Sequence, residues 1–280
     1  MSEVKSTLPE KDLADLRWAY RHLEHPSLAA RLSSVVGVPI ERGLKLLPKP
    51  WYQRLDRMTE LSIEKILNLT VASMEHVPPD APHDRLHKLL AATTGAVGGF
   101  FGPLMLLAEL PVTTAIMLRS IADIAHSQGE DLSMKDARIA CMQVFALGGR
   151  TKEDRAADTG YYGLRITLSL HFSHALLYTG QPVSNAHIPA GVNLIRGIAS
   201  RFGIVISDKA AAQLVPVAGA VTGALLNLVF TQHFQDIARG HFSVRRLERK
   251  YGAERIRIEY ERLARQEVEA TKSYSPLEGW

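Results

Sequence analysis

Arg119, Asp123 and His126 stand four and three residues apart, and Glu109 lies ten residues before the arginine. On a helix the first three share one side. A guanidinium, a carboxylate and an imidazole gathered there can do acid–base work or hold a small ligand. The same spacing suits an exposed ion-pair ladder, worth about 0.3–0.5 kcal/mol per pair. Glu109 fits the ladder less well, because its sequence neighbours are apolar. The strip Glu109, Arg119, Asp123 and His126 is therefore the candidate site of an enzyme or small-ligand binder, with a surface ladder as the plain alternative.

Other reactive groups are sparse. His171 and His174 are three apart, as are His233 and Asp236, and each pair can supply two ligands, whereas a closed zinc site needs four. No H-E-x-x-H, C-x-x-C or G-x-S-x-G run occurs, and the single cysteine, Cys141, sits in an apolar helical run as a core residue would. Gly95, Gly98, Gly99 and Gly102 follow no strand and precede no lysine, so they do not make a phosphate loop. Neither a metal nor a cofactor is expected.

The elements that must position these residues read as helical. Amphipathic periods run over 11–24 and 51–76, and Val77-Pro78-Pro79-Asp80 stops the second. A further helix over 82–94 leads into the glycine-rich stretch. Pro111 predicts the first turn of a helix ending at Gly129, and Ser133 an N-cap for a helix to Leu147, with Asp136 in its third position. Gly148-Gly149 then breaks the chain. Helices are expected over about 153–179, 187–202 and 253–269, with a loose tail after the last. VPI and GIVIS are short enough to be links or helix starts.

Two long stretches with little charge dominate. Residues 89–118 carry one charge, Glu109, and residues 210–235 carry none. In the first, Gly95–Gly99 and Gly98–Gly102 are spaced by four; in the second, Gly219, Gly223, Asn227 and Thr231 fall on one stripe. Glycine inside a helix costs roughly 0.5–1 kcal/mol against alanine, and close backbone contact between helices, with Asn227 hydrogen-bonding across it, would offset that. Neither stretch is a clear membrane span. In 89–108, nine strongly apolar side chains face four glycines, two threonines and a proline, and including Glu109 costs about 2.5–3.5 kcal/mol on insertion scales. Burial in a bundle, reversible insertion and a spanning hairpin all stay open. A weak echo links ELPVTTAIMLRSIADIA with LVPVAGAVTGALLNLVFTQHFQDIA, both proline-led and ending in Asp-Ile-Ala.

The 280 residues carry net charge +4, with 46% hydrophobic and 22% charged residues, a composition that folds. Basic residues gather in two places: Lys49 and Arg54 beside Trp51 and Tyr52, and Arg245, Arg246, Arg249 and Lys250 after the second apolar stretch. Such groups suit an anionic membrane surface, at about 1 kcal/mol per nearby cation, with Trp and Tyr at the headgroups; a solvated helix face is the alternative. No groove-reading motif supports nucleic acid as a partner. The polar start MSEVKSTLPEKDLADLR lacks the pattern of a signal peptide, so the expected setting is the cytoplasm, at the inner face of the cell membrane.

The chain resembles the EcsC protein family. The glycine-rich run is followed by Glu109-Leu110-Pro111, where the family usually shows Asp-x-Pro, then by Leu118-Arg119-Ser120-Ile121, Ile124-Ala125, Gly129 and Asp131-Leu132. Gly160-Tyr161-Tyr162 with Arg165 is similar to the family's tyrosine pair and arginine. Val215-Pro216-Val217-Ala218-Gly219-Ala220 with Asn227 is similar to its second signature, and Val38-Pro39-Ile40-Glu41 and Leu47-Pro48 fit upstream. The family is named for the third member of a bacterial operon encoding an ABC transport system, and its biochemical role is not established.

The expected fold is all-α, a compact bundle of about ten helices around the two glycine-rich ones. Residues 1–30 form an N-terminal helical extension, 31–252 the EcsC-like domain, and 253–280 a charged helix and tail. The expected role is a non-enzymatic accessory protein docked on an anionic membrane surface or a membrane protein complex. An enzyme or ligand binder built on the polar strip, and a self-associating scaffold forming a homo-oligomer, are the alternatives.

Overall fold

The computed structural model describes residues 8–25, 28–37, 39, 44–45, 49–73, 103–149, 160–176, 188–214 and 219–274. Among these residues all regular structure is helical: α1 (Glu10–Glu24), α2 (Leu28–Val36), α3 (Lys49–Ser73), α4 (Pro103–Ser127), α5 (Lys135–Leu147), α6 (Tyr161–Leu176), α7 (Ile188–Leu214), α8 (Gly219–Tyr251) and α9 (Ala253–Tyr274). The predicted helix over 82–94, and Gly95, Gly98, Gly99 and Gly102, lie outside the described residues.

The 33 residues of α8 make a rod about 50 Å long at 1.5 Å per residue, and α1, α2, α4, α5 and α9 pack along it. Its direction relative to α4 matters most. Gln235 donates to the Ser120 hydroxyl at 2.9 Å, and Arg245 donates to both Glu130 oxygens at 2.8 and 3.0 Å. Moving from 120 to 130 on one side moves from 235 to 245 on the other, so α4 and α8 are parallel. The two helices thus begin, at Pro103 and Gly219, at the same end of the bundle. By that register the two Asp-Ile-Ala tripeptides, 123–125 and 236–238, stand at nearly the same level along the bundle. Helix α1 is antiparallel to α8, with Asp12 on Lys250 (2.8 Å) and Asp15 on Arg246 (2.6 Å).

One apolar core runs through the molecule. Phe145, Phe202, Phe230 and Phe234 are buried and meet ring to ring at 5.1 to 6.3 Å, and each such side chain contributes roughly 1.5–3 kcal/mol by burial. Close backbone approach does occur, at glycines other than those singled out from spacing. A Cβ on Gly149 would collide with the carbonyl oxygen of Arg201 in α7, and one on Gly148 would meet the Phe234 ring at 2.5 Å. The pair that reads as a helix breaker is also what lets α5 touch α7 and α8.

Three local expectations change. Pro111 lies inside α4, which begins at Pro103; Pro103 takes the first-turn position where a missing N–H costs nothing, and Pro111 removes one interior bond. Helix α7 continues through GIVIS to Leu214, because Phe202, Val205, Ile206 and Ala210 fall on its buried side. Met134, without a side-chain cap, precedes α5, so Asp136 is its second residue; Asp131 Oδ1 instead accepts from the Ser133 backbone N–H (2.9 Å) and hydroxyl (2.7 Å).

Candidate functional site

The strip predicted on α4 resolves into an ion pair. Arg119 Nε lies 3.2 Å from Asp123 Oδ1, with the arginine side chain half exposed and the carboxylate nearly buried. His126 lies one turn on, partly exposed, and Glu109 is in the same helix with its side chain outside the described residues. That is the geometry of the ladder at its buried edge. On α6, the side chains of His171 and His174 also lie outside the described residues. Among the described residues no three His, Cys, Asp or Glu side chains gather as a metal site.

A denser constellation forms where α1, α6, α8 and α9 meet. Tyr161, Tyr162 and Arg165 follow one another on the first turns of α6, and spacings of four and three place Arg165 over both rings, 5.9 and 6.0 Å from their centroids. Tyr161 is fully buried, and its hydroxyl lies 2.9 Å from His241 Nδ1 on α8. Arg165 donates to Glu248 at 2.8 Å and to the Tyr161 oxygen at 3.4 Å, and Tyr162 donates to Glu248 at 3.0 Å. Glu24 of α1 caps α6 by accepting from the Tyr161 backbone N–H at 2.9 Å, and the same oxygen accepts from Tyr260 of α9 at 3.0 Å.

Electrostatics hold this node in one protonation state. Burial pushes the Tyr161 phenol up to about 12. Burial pushes Tyr162 up as well, with Glu248 adding to it. Burial alone would lower Arg165, but Tyr161 and Glu248 outweigh it and keep the guanidinium charged. Burial drives His241 well below its ordinary value, with the Arg165 and Arg245 charges in the same direction. The node is thus a neutral histidine and two neutral phenols around one arginine–glutamate pair. It can bind and orient; with Tyr161 and His241 fully buried, it is closed to substrate in this state.

The basic run on α8 is committed to carboxylates. Arg245 meets Glu130 and Asp136 (2.6 Å), Arg249 meets Glu130 and the Gln128 carbonyl (2.7 Å), Arg246 meets Asp15 and Lys250 meets Asp12. Burial works against ionisation of Glu130, yet the Arg245 and Arg249 hydrogen bonds lower its pKa overall. These pairs satisfy the four cations predicted as lipid-facing, while Arg246, Arg249 and Lys250 keep 35%, 42% and 57% of their side chains exposed. At the start of α3, Tyr52 and Arg54 are exposed and Trp51 packs half-buried against the core; the side chain of Lys49 lies outside the described residues.

The second apolar stretch places Gly219 and Gly223 in the first turns of α8, and their packing is outside what is described. Further along the same stripe Asn227, Thr231 and Gln235 are all buried, a polar seam within the core. Lys209 of α7 is buried beside it, its ammonium 4.8 Å from the Phe230 ring centroid. No described helix is long and apolar enough to cross a membrane.

His241, Glu248, Glu24 and Tyr260 escape local sequence reasoning. The visible signal was Tyr161-Tyr162 with Arg165, two hydroxyls and a cation on one helical face that require distant partners if buried. No curated protein and no solved structure matches the chain. The model of the EcsC protein family matches residues 41–247, well over half of the sequence and including α3 to α7 and most of α8. The chain belongs to the EcsC protein family.

Proposed function

We propose that this protein is a non-enzymatic accessory protein that docks on a membrane, or on a protein complex held in one, through the end of the bundle where α4 and α8 begin. The observation that carries the reading is the parallel run of these two helices, fixed by Ser120–Gln235 and Glu130–Arg245. It puts the starts of both helices, Pro103 and Gly219, at one end. Within the two low-charge stretches, Val112 on α4 and Leu225 on α8 are solvent-exposed, at 53% and 45%. The other end, about 40 Å away along α8, is an ionic clasp of Glu130, Asp136, Asp12 and their arginines and lysine.

This division suits a protein with one apolar face turned to a bilayer or membrane partner and one polar end in water. The net charge of +4 favours anionic headgroups. Co-sedimentation with phosphatidylcholine vesicles, with and without phosphatidylglycerol, tests the reading. The protein is expected to pellet with vesicles, more with the anionic lipid. Full recovery in the supernatant under every composition would reject membrane docking.

A further inference from the structure

The family region ends near residue 247, so α1 and α9 lie outside it, and both pack over the tyrosine–arginine node. The node does not depend on α9 for its shape. Tyr161–His241, Arg165–Glu248 and Tyr162–Glu248 all join α6 to α8. Tyr260 of α9 rests on this surface, its ring 5.5 Å from Tyr161, 5.2 Å from Tyr162 and 5.1 Å from Tyr20 of α1.

The two covering helices are held unequally. Helix α1 buries Leu13, Leu16, Ala19, Tyr20 and Leu23, with Leu23 seated on Gly240, where a Cβ would crowd it at 3.1 Å. Helix α9 inserts Ile256, Tyr260 and Leu263, together with a carboxylate, Glu259, whose ion pair is with Arg262 of its own helix at 3.0 Å. Tyr260 also ties it to Glu24, Glu267 ties it to Tyr20 (2.6 Å) and His25 (3.1 Å), and the Arg255 guanidinium lies 5.5 Å from the Tyr251 ring centroid of α8. A single residue, Gly252, links it to α8, at φ 91° with nothing within 4 Å of its Cβ position, and the turn is closed by the Gly252 N–H on the Glu248 carbonyl (2.9 Å) and the Ile256 N–H on the Gly252 carbonyl (3.3 Å). Beneath α9, His241 Nε2 is buried without a hydrogen-bond partner among the described residues.

We infer that the face made by Tyr161, Tyr162 and Arg165 of the family core, with Glu248 just past it, is a helix-docking surface, and that α9 is its displaceable occupant. The partner it fits is an amphipathic helix presenting an aromatic hydroxyl between two aliphatic side chains, the four-and-three pattern of Ile256, Tyr260 and Leu263. Opening at Gly252 frees the surface for such a helix while α1 stays in place. The inference is independent of membrane docking, which uses the opposite end of α8.

Hydrogen exchange on the full-length protein tests it. Amides 256–266 are expected to exchange as one unit, at least about tenfold faster than amides 229–245 of α8, with little denaturant dependence. Tyr260→Ala should raise the α9 rate by about a further tenfold and leave α8 unchanged, and Tyr260→Phe should have a smaller effect in the same direction. A labelled peptide of sequence 253–274 should bind the full-length Tyr260→Ala protein more tightly than the wild type, and the same peptide carrying Tyr260→Ala should not bind. If Tyr260→Ala does not fold, Tyr260→Phe with Glu267→Gln replaces it in both measurements. A single exchange rate and denaturant slope for α8 and α9, or no peptide binding to the loosened protein, overturns the inference.

Discussion

Mild acid should destabilise this protein through its buried histidines, and the magnitude follows from their surroundings. His233 on α8 is 1% exposed, and its Nε2 donates to the Gly148 carbonyl at 2.8 Å. Burial pushes its pKa down to about 4, against an upward pull from that hydrogen bond. In the unfolded chain the same ring takes its proton near 6.5. Between those values the unfolded state binds one more proton than the folded one, so stability is complete above pH 6.5 and falls as the pH drops. The slope is about 1.4 kcal/mol per pH unit, amounting to roughly 3 kcal/mol by pH 4. His241, also fully buried and depressed, acts in the same direction and about doubles the slope. Urea unfolding at steps from pH 7.5 to 5 gives the measurement, with His233→Gln, which retains an amide donor for Gly148, as the comparison. The wild type should lose stability steadily below pH 6.5, and the variant should lose about 1.4 kcal/mol less per unit. A wild-type stability flat across this range, or equal slopes for the two proteins, would falsify the reasoning.

Gly149→Ala should cost about 1–3 kcal/mol or more in urea unfolding, because the new methyl meets the Arg201 backbone rather than a yielding side chain. Glu130→Gln removes the charge that two arginines share and leaves Arg245, 13% exposed, with Asp136 alone; a loss of about 3 kcal/mol is expected, read as a lower thermal midpoint. Tyr161→Phe leaves the His241 Nδ1 without its partner and should cost about 1–3 kcal/mol, with far-UV circular dichroism unchanged below the transition.

Helix periods were legible where one face is wet and the other dry. The charged pattern of α9 and the stripe of Leu55 and Met58 in α3 announce their helices within a few residues. Helix α2, with nine residues, is too short for a period to stand out. The β-branched run GIVIS imitates a strand because composition alone does not reveal that α7 is buried along its length. The partners of the basic run were hidden for a related reason. Arg245, Arg246 and Lys250 look free because their carboxylates, Glu130, Asp15 and Asp12, lie 115 to 238 residues away in sequence. The same separation hides His241 and Glu248 from Tyr161 and Arg165. Spacing of four drew attention to Gly95–Gly102 and Gly219–Gly223 as contact residues; among the described residues the tightest glycine contacts fall at Gly148 and Gly149, where no periodic pattern exists.

The proposed docking end can be probed at two exposed positions. Leu225→Cys lies near the start of α8, and Met134→Cys, at a residue 60% exposed, lies beside the ionic clasp. Cys141 is buried, and burial raises its thiol well above the ordinary range, so a thiol-directed, environment-sensitive dye reports only the introduced site. With phosphatidylglycerol-containing vesicles, the dye at 225 should shift to the blue and be quenched by lipid-borne quenchers, while the dye at 134 should not change. A response at 134, or none at 225, contradicts the account.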